Sequence, residues 1–231
     1  MIFLDKKEGY EEVMYKLCIF DLDGTLTDTL ESLTFSVNET LRAMGLSRIS
    51  QERCREFVGN GARVLIEKSL LEAGETDLSR IEEAMQIYGR IFDENCTYHV
   101  VPYEGIPGML EAMKRRGLRL AVLSNKPHCQ AVHVVETIFG KDMFCHIQGQ
   151  QSGIPRKPDP EAALQIADKC GSLPEETIYI GDSEVDIATG MAAHMRTIGV
   201  TWGFRSRAVL EEAGARDLAG SPEEVMKLIK E

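Results

Sequence analysis

The chain has 231 residues and carries 37 Asp and Glu against 26 Lys and Arg, a net charge of −11. That length suits one large domain or a core carrying a smaller second unit, and the acidity excludes a nucleic-acid scaffold, which needs a basic face. Hydrophobic residues at 43% and charged residues at 27% make a globular balance, and no apolar run is long enough to cross a bilayer.

Residues 1–13 read as an acidic extension without the basic start and apolar block of a secretory leader. Cys18, Cys54, Cys96, Cys129, Cys145 and Cys170 are spread along the chain with no CxxC pair. Reduced thiols in a cytoplasmic setting are therefore expected. Leu17-Cys18-Ile19-Phe20 is a short apolar run ending in acidic and glycine-rich residues, which predicts a buried strand. Leu30, Leu33, Val37, Leu41 and Met44 then recur at helical steps as far as Gly45. A shorter helix is predicted over 50–58, then a break at Gly59-Asn60-Gly61, then a helix through Ala62, Leu65, Ile66 and Leu70 to Gly74. Thr76 or Asp77 is placed to cap a longer helix carrying Ile81, Met85, Tyr88 and Phe92. Residues 32–99 thus read as an all-helical block.

Beyond Tyr103 the pattern alternates. Helices are predicted over 108–116, 127–139, 160–170 and 183–193, and strands over 118–123, 144–148, 177–180 and 197–200. Ser221-Pro222-Glu223-Glu224 opens a last helix as a capping box with proline at its first position. Strands alternating with helices predict an α/β fold whose parallel sheet is covered on both faces. In such sheets ligands bind beyond the C-terminal strand ends.

Chemistry-bearing residues stand at those ends. Asp21-Leu22-Asp23-Gly24-Thr25 follows the first strand, and residues two apart on extended chain project to one side, so Asp21 and Asp23 can converge. Paired carboxylates repel unless a proton or metal compensates them, and Mg²⁺ favours such hard oxygen ligands. Ser124 and Asn125 follow the second strand, where a hydroxyl, an amide and a helix N-terminus can serve a phosphate. Lys157 sits in a stiff Arg156-Lys157-Pro158-Asp159-Pro160 loop, with Asp159 and Pro160 suited to the cap and first turn of a helix. Asp182 ends the fourth strand, and Asp186 lies one helical turn on, able to hold a metal-bound water or Lys157. His99, His128, His133, His146 and His194 show no metal-ligand spacing, and neither a GxSxG elbow nor a Walker-type loop occurs.

DLDGTLTD (21–28), SN (124–125), Lys157 with its PDP tail and GDSEVD (181–186) together resemble the haloacid dehalogenase superfamily of phosphohydrolases. FVGNGARVLIEKSL (57–70), LSNKP (123–127), KPDP (157–160) and GVTWGFRS (199–206) are most similar to its phosphoglycolate phosphatase branch. The resemblance implies a Rossmann-like core of residues 14–31 and 100–231 with strand order 5-4-1-2-3, and a mobile helical cap over 32–99. It implies that Asp21 attacks phosphorus and that Asp23 serves as acid and then base. Asp21, the backbone carbonyl of Asp23 and Asp182 would hold Mg²⁺, and Ser124, Asn125 and Lys157 would hold the phosphate. The expected partner is a small phosphorylated molecule such as 2-phosphoglycolate, with no nucleic acid or membrane, in a monomer or homodimer. Pyrophosphatase, nucleotidase, sugar-phosphate phosphatase and phosphomutase activities stay open on this pattern, as does a non-catalytic binding domain. Halide displacement would leave Asp23 idle. Arg63 reads equally as a partner for a substrate carboxylate or as a surface arginine, and Arg205 is similarly open.

Overall fold

A computed structural model of the chain describes residues 14–229, so the expected N-terminal extension over 1–13 lies outside the described residues. β1 (Leu17–Phe20) is buried throughout and lies at the centre of the sheet. Its residues alternate in facing: Cys18 and Phe20 join one apolar cluster, Leu17 and Ile19 the other. The chain leaves the sheet through β2 (Thr27–Asp28) and enters α1 (Leu30–Ala43), α2 (Gln51–Phe57), α3 (Ala62–Glu72) and α4 (Ile81–Asn95). It returns through β3 (Val101–Pro102), which pairs antiparallel with β2. The two crossings of the helical block therefore lie side by side.

The alternating half follows as α5 (Ile106–Arg115), β4 (Arg119–Pro127), α6 (His128–Phe139), β5 (His146–Gln150), α7 (Glu161–Lys169), β6 (Thr177–Gly181), α8 (Glu184–Ala192), β7 (Arg196–Val200), α9 (Arg207–Glu212), β8 (Asp217–Ala219) and α10 (Pro222–Leu228). The sheet is parallel in the order β5-β4-β1-β6-β7-β8. Counting β1, β4, β5, β6 and β7 as one to five, the expected 5-4-1-2-3 core is present. β8 adds a sixth, edge strand that the sequence pattern does not announce. It is three residues long with a single buried side chain, too short to show alternation.

Local differences have local causes. The expected cap at Thr76 or Asp77 falls short of the helix: Asp77 accepts a hydrogen bond from the Ser79 amide (2.8 Å), and α4 starts at Ile81 behind an uncapped Arg80. Asp159 likewise binds the Glu161 amide (2.9 Å), which leaves Pro160 at the cap of α7. At α10, Ser221 accepts from Glu224, but the Glu224 carboxylate turns back to the Gly220 amide (2.6 Å) rather than closing a box.

One apolar cluster runs from the sheet into the helical block through Phe20, Leu22, Leu33, Val37, Tyr88 and Phe92. Each such fully buried side chain contributes about 1.5–3 kcal/mol, so the block is seated by packing as well as by its two chain crossings. All six cysteines are free thiols, four of them buried. Among the described residues no helix is long and apolar enough to cross a membrane.

Candidate active site

Three strand ends meet at one edge of the sheet. Asp21 and Asp23 leave the end of β1, Asp182 leaves the end of β6, and Ser124, Asn125 and Lys126 lie in the last turn of β4. β4 runs four residues further than its apolar run suggests, with a register irregularity against β5 between Leu123 and Pro127. Lys157 arrives from the loop after β5, which includes a cis peptide bond to Pro158.

The Lys157 ammonium is buried between two carboxylates, 2.8 Å from Asp21 Oδ1 and 2.7 Å from Asp186 Oδ1. Burial alone would lower this ammonium, yet Asp186 and Asp21 hold it well above its ordinary value. Asn125 fixes the loop from both sides: its Oδ1 accepts from the Lys157 amide (2.9 Å) and its Nδ2 donates to the Lys157 carbonyl (3.1 Å). Asp186 is also tied to Ser183 through a reciprocal cap at the start of α8. Its oxygens are thus engaged by Lys157 and Ser183.

Asp182 Oδ1 accepts from Thr25 Oγ1 (3.1 Å), and its Oδ2 accepts from the Phe204 amide (2.6 Å). Two glycines make room for it. Gly24 has φ +90°, and a Cβ at either Gly24 or Gly203 would collide with the Asp182 carboxylate.

Asp21, Asp182 and Asp186 each offer an oxygen within 4.8 Å of the others. Two ligands about 2.1 Å from one Mg²⁺ span at most roughly 4.2 Å, so modest adjustment suffices for Asp21 and Asp182 to share an ion. The charge balance calls for one. Burial raises Asp21 well above the usual carboxylate range and Asp186 adds to this, with Lys157 opposing. Burial, then Asp186, push Asp182 up to about 7 against the Phe204 and Thr25 hydrogen bonds. Three carboxylates facing one ammonium fit a hard divalent cation.

A residue outside the expected set completes the cluster. Lys126 Nζ lies 2.9 Å from Asp23 Oδ1 and 4.6 Å from the centre of the Phe92 ring, with its side chain 1% exposed. Its signal was present in LSNKP, but it shows only once β4 is known to continue as strand, alternating its side chains past Asn125.

The site is roofed by the helical block. Leu33, Val58, Leu65, Tyr88 and Phe92 face Asp21, Asp23, Ser124, Lys126 and Lys157 across a cavity of about 50 Å³. Core side chains hold the roof by its backbone: Asn125 Nδ2 donates to Gly59 O (3.0 Å) and Arg156 to Asn60 O (3.0 Å). Arg205 donates to Arg55 O (3.0 Å) and Val58 O (2.6 Å) while paired with Glu184 (3.0 Å). Arg205 is therefore a clasp between the two parts. Arg63 is not among the cavity-lining residues: it pairs with Glu67 (3.1 Å) and Glu82 (2.7 Å) on the helical block, and of its two open readings the structure shows the surface arginine. Replacing Arg205 by Ala is expected to speed amide hydrogen exchange over 55–61 about tenfold or more, since charged hydrogen bonds are worth about 1.5–3 kcal/mol each. Unchanged exchange in that segment would remove the clasp.

The family model of haloacid dehalogenase-like hydrolases matches residues 18–200. A phosphoglycolate phosphatase of Aquifex aeolicus is 31% identical over 189 residues, covering 82% of this chain and 86% of the relative. One from Haemophilus influenzae is 34% identical over 208 residues, covering 86% and 91%. A Lactobacillus delbrueckii subsp. bulgaricus crystal structure described as a candidate phosphoglycolate phosphatase superposes with a TM-score of 0.88 at 30% identity, covering 94% of this chain and 98% of that one. CbbY of Rhodobacter sphaeroides in complex with phosphate superposes at 0.74 with 26% identity, covering 92% and 96%. Motif, topology and overall similarity agree, and the chain belongs to the haloacid dehalogenase-like hydrolases.

Proposed function

We propose that this chain is a Mg²⁺-dependent phosphatase that passes the phosphoryl group of a small monoester, best 2-phosphoglycolate, to Asp21 and then to water. The observation that carries this is the meeting of Asp21, Asp23, Lys157 and Asp182 at one sheet edge under an apolar roof. The named relatives support the substrate, and the cavity, with room for a few waters at about 10–15 Å³ each, favours a small one. Residues 32–99 act as a cap on a core of 14–31 and 100–231.

Asp21 attacks phosphorus through a carboxylate oxygen, and the bond from phosphorus to the leaving oxygen breaks. Asp23 gives that oxygen its proton. Water then attacks the aspartyl phosphate, Asp23 takes a proton from it, and Asp21 is regenerated. Like charges 4 Å apart repel by about 4 kcal/mol at an effective dielectric near 20, and a phosphate dianion roughly doubles this. Lys157 offsets part of it beside Asp21. Asp21, Asp182 and the carbonyl of Asp23 would hold Mg²⁺, which supplies the remaining positive charge against the phosphoryl oxygens. Ser124 offers a hydroxyl to the phosphate, and Asn125 acts by holding Lys157 in place.

Phosphate release from 2-phosphoglycolate, pyrophosphate, nucleotides and hexose phosphates, with Mg²⁺ or with chelator, tests the proposal. Mg²⁺-dependent release with 2-phosphoglycolate ranked first by kcat/KM is expected; absence of release from any of them would refute it. Gly203→Ala, which pushes on Asp182, is expected to raise the Mg²⁺ concentration for half-maximal rate about tenfold or more. A Mg²⁺ titration of initial rates reads this directly, and a wild-type curve would detach Asp182 from the ion.

A further inference from the structure

Two lysines line the cavity, and they divide between its carboxylates. Lys157 sits between Asp21 and Asp186, where the phosphoryl group is attacked. Lys126 sits instead 2.9 Å from Asp23 and against the Phe92 ring. Asp23 is the residue that must reach the leaving oxygen, so Lys126 marks the place of the leaving group.

We infer that Lys126 is a specificity residue that binds a second anionic group, a carboxylate, on the leaving side of the substrate. This rests on the phosphatase reading above and assigns the residue that reads the carboxylate of such a substrate. Four observations carry it.

An ammonium has three N–H donors, and the single hydrogen bond recorded for Lys126 Nζ among the described residues goes to Asp23 Oδ1. The side chain is 1% exposed, so donors facing the cavity are removed from bulk water and are worth most when a charged acceptor enters.

The surroundings of Lys126 are otherwise apolar. Phe92 presents its ring face to the ammonium, and Leu33, Leu65 and Tyr88 line the same cavity. Lys126 and Lys157 are the two cationic side chains of the lining, and Lys157 is engaged by Asp21 and Asp186. The cationic side chain first considered for this purpose, Arg63, is spent on Glu67 and Glu82 outside the cavity.

The distances suit a short substrate. A leaving oxygen stands about 3 Å from the carboxyl that protonates it. In a 2-phospho acid the carboxylate oxygens are three bonds beyond that leaving oxygen, hence roughly 3–4 Å from it at ordinary bond lengths. Lys126 Nζ and the leaving oxygen would then share Asp23 as a neighbour, so a carboxylate three bonds out can meet the ammonium.

The roof supplies the last element. Phe92 belongs to α4 and Lys126 to β4, so a carboxylate on Lys126 lies at the seam between cap and core.

The test compares 2-phosphoglycolate with 2-hydroxyethyl phosphate. Both release a poor alkyl leaving group, so both depend on proton donation by Asp23, but only the first carries a carboxylate. In Lys126→Met the ratio of kcat/KM for 2-phosphoglycolate over 2-hydroxyethyl phosphate is expected to fall about 10- to 100-fold, the scale of a lost charged hydrogen bond. Lys126→Arg, which keeps the charge, is expected to retain a larger share of that ratio than Lys126→Met. A second readout needs no turnover: in an Asp21→Asn background, Lys126→Met is expected to weaken binding of 2-phosphoglycolate more than that of inorganic phosphate. Equal losses on both substrates, together with equal binding of both ligands, would make Lys126 a support for Asp23 alone and overturn the inference while leaving the phosphatase reading intact. Absence of phosphate release by the unmodified protein from either substrate would overturn both.

Discussion

Asn in place of Asp21 is expected to lower phosphate release at least about 10⁴-fold and to abolish phosphate labelling of the protein. The exchange keeps the size of the side chain, so the loss belongs to the nucleophile and not to a void. Stability should move the other way. Burial and the neighbouring Asp186 raise Asp21 well above its ordinary value of 3.8, so without a cation its ionised form opposes folding. The sign follows from proton linkage: the folded state holds the proton more tightly, and stability declines as pH rises from that ordinary value. Asn removes this burden, and Lys157 keeps Asp186 as its counter-ion at 2.7 Å. Metal-free Asp21→Asn should therefore melt no lower than the unmodified chain at neutral pH, and should gain less from added Mg²⁺. Thermal melts with and without Mg²⁺, beside steady-state kinetics and mass spectrometry of the quenched reaction, read all of these. Retained turnover would end the assignment of Asp21 as nucleophile.

Lys157→Met is expected to produce the largest loss of stability. Removing one partner of a buried ion pair costs about 3–5 kcal/mol, because the other charge is left uncompensated. Here two carboxylates are abandoned, those of Asp21 and Asp186, and both lie on the one ammonium. For a chain of this size that cost corresponds to a fall of roughly 6–20 °C in Tm. Added Mg²⁺ should recover part of it by supplying positive charge to the same carboxylates, while turnover stays down by about 10²–10³-fold. A melting temperature equal to that of the unmodified chain would mean that Lys157 does not balance this cluster.

The acidic part of the site was legible because its residues stand where an apolar run stops. Asp21 and Asp182 need only the knowledge that β1 and β6 are buried parallel strands, and four-residue apolar runs announce both. Lys157 was legible through the prolines that stiffen its loop. Lys126 was hidden by the opposite circumstance: β4 continues through polar residues, so its last turn reads as the start of a loop. A buried lysine in an acidic cleft obeys no periodicity. Arg63 and Arg205 look alike along the chain, yet only the fold shows that the first turns to two glutamates and the second crosses to the helical block. Glu67, four residues after Arg63 on one helix, was a readable hint of the surface pairing. β8 escaped because a three-residue edge strand takes its identity from its neighbour β7, not from its own pattern.

Arg205, Asn125 and Arg156 grip main-chain oxygens at 55, 58, 59 and 60. Every amino acid carries that oxygen. The segment can therefore exchange Val58, Asn60 or Ala62 for other residues and keep the same four anchors. What this segment's side chains offer the cavity is thereby uncoupled from how it is anchored, and under the phosphatase reading substrate preference can change by substitution at a handful of positions while the four anchors stay.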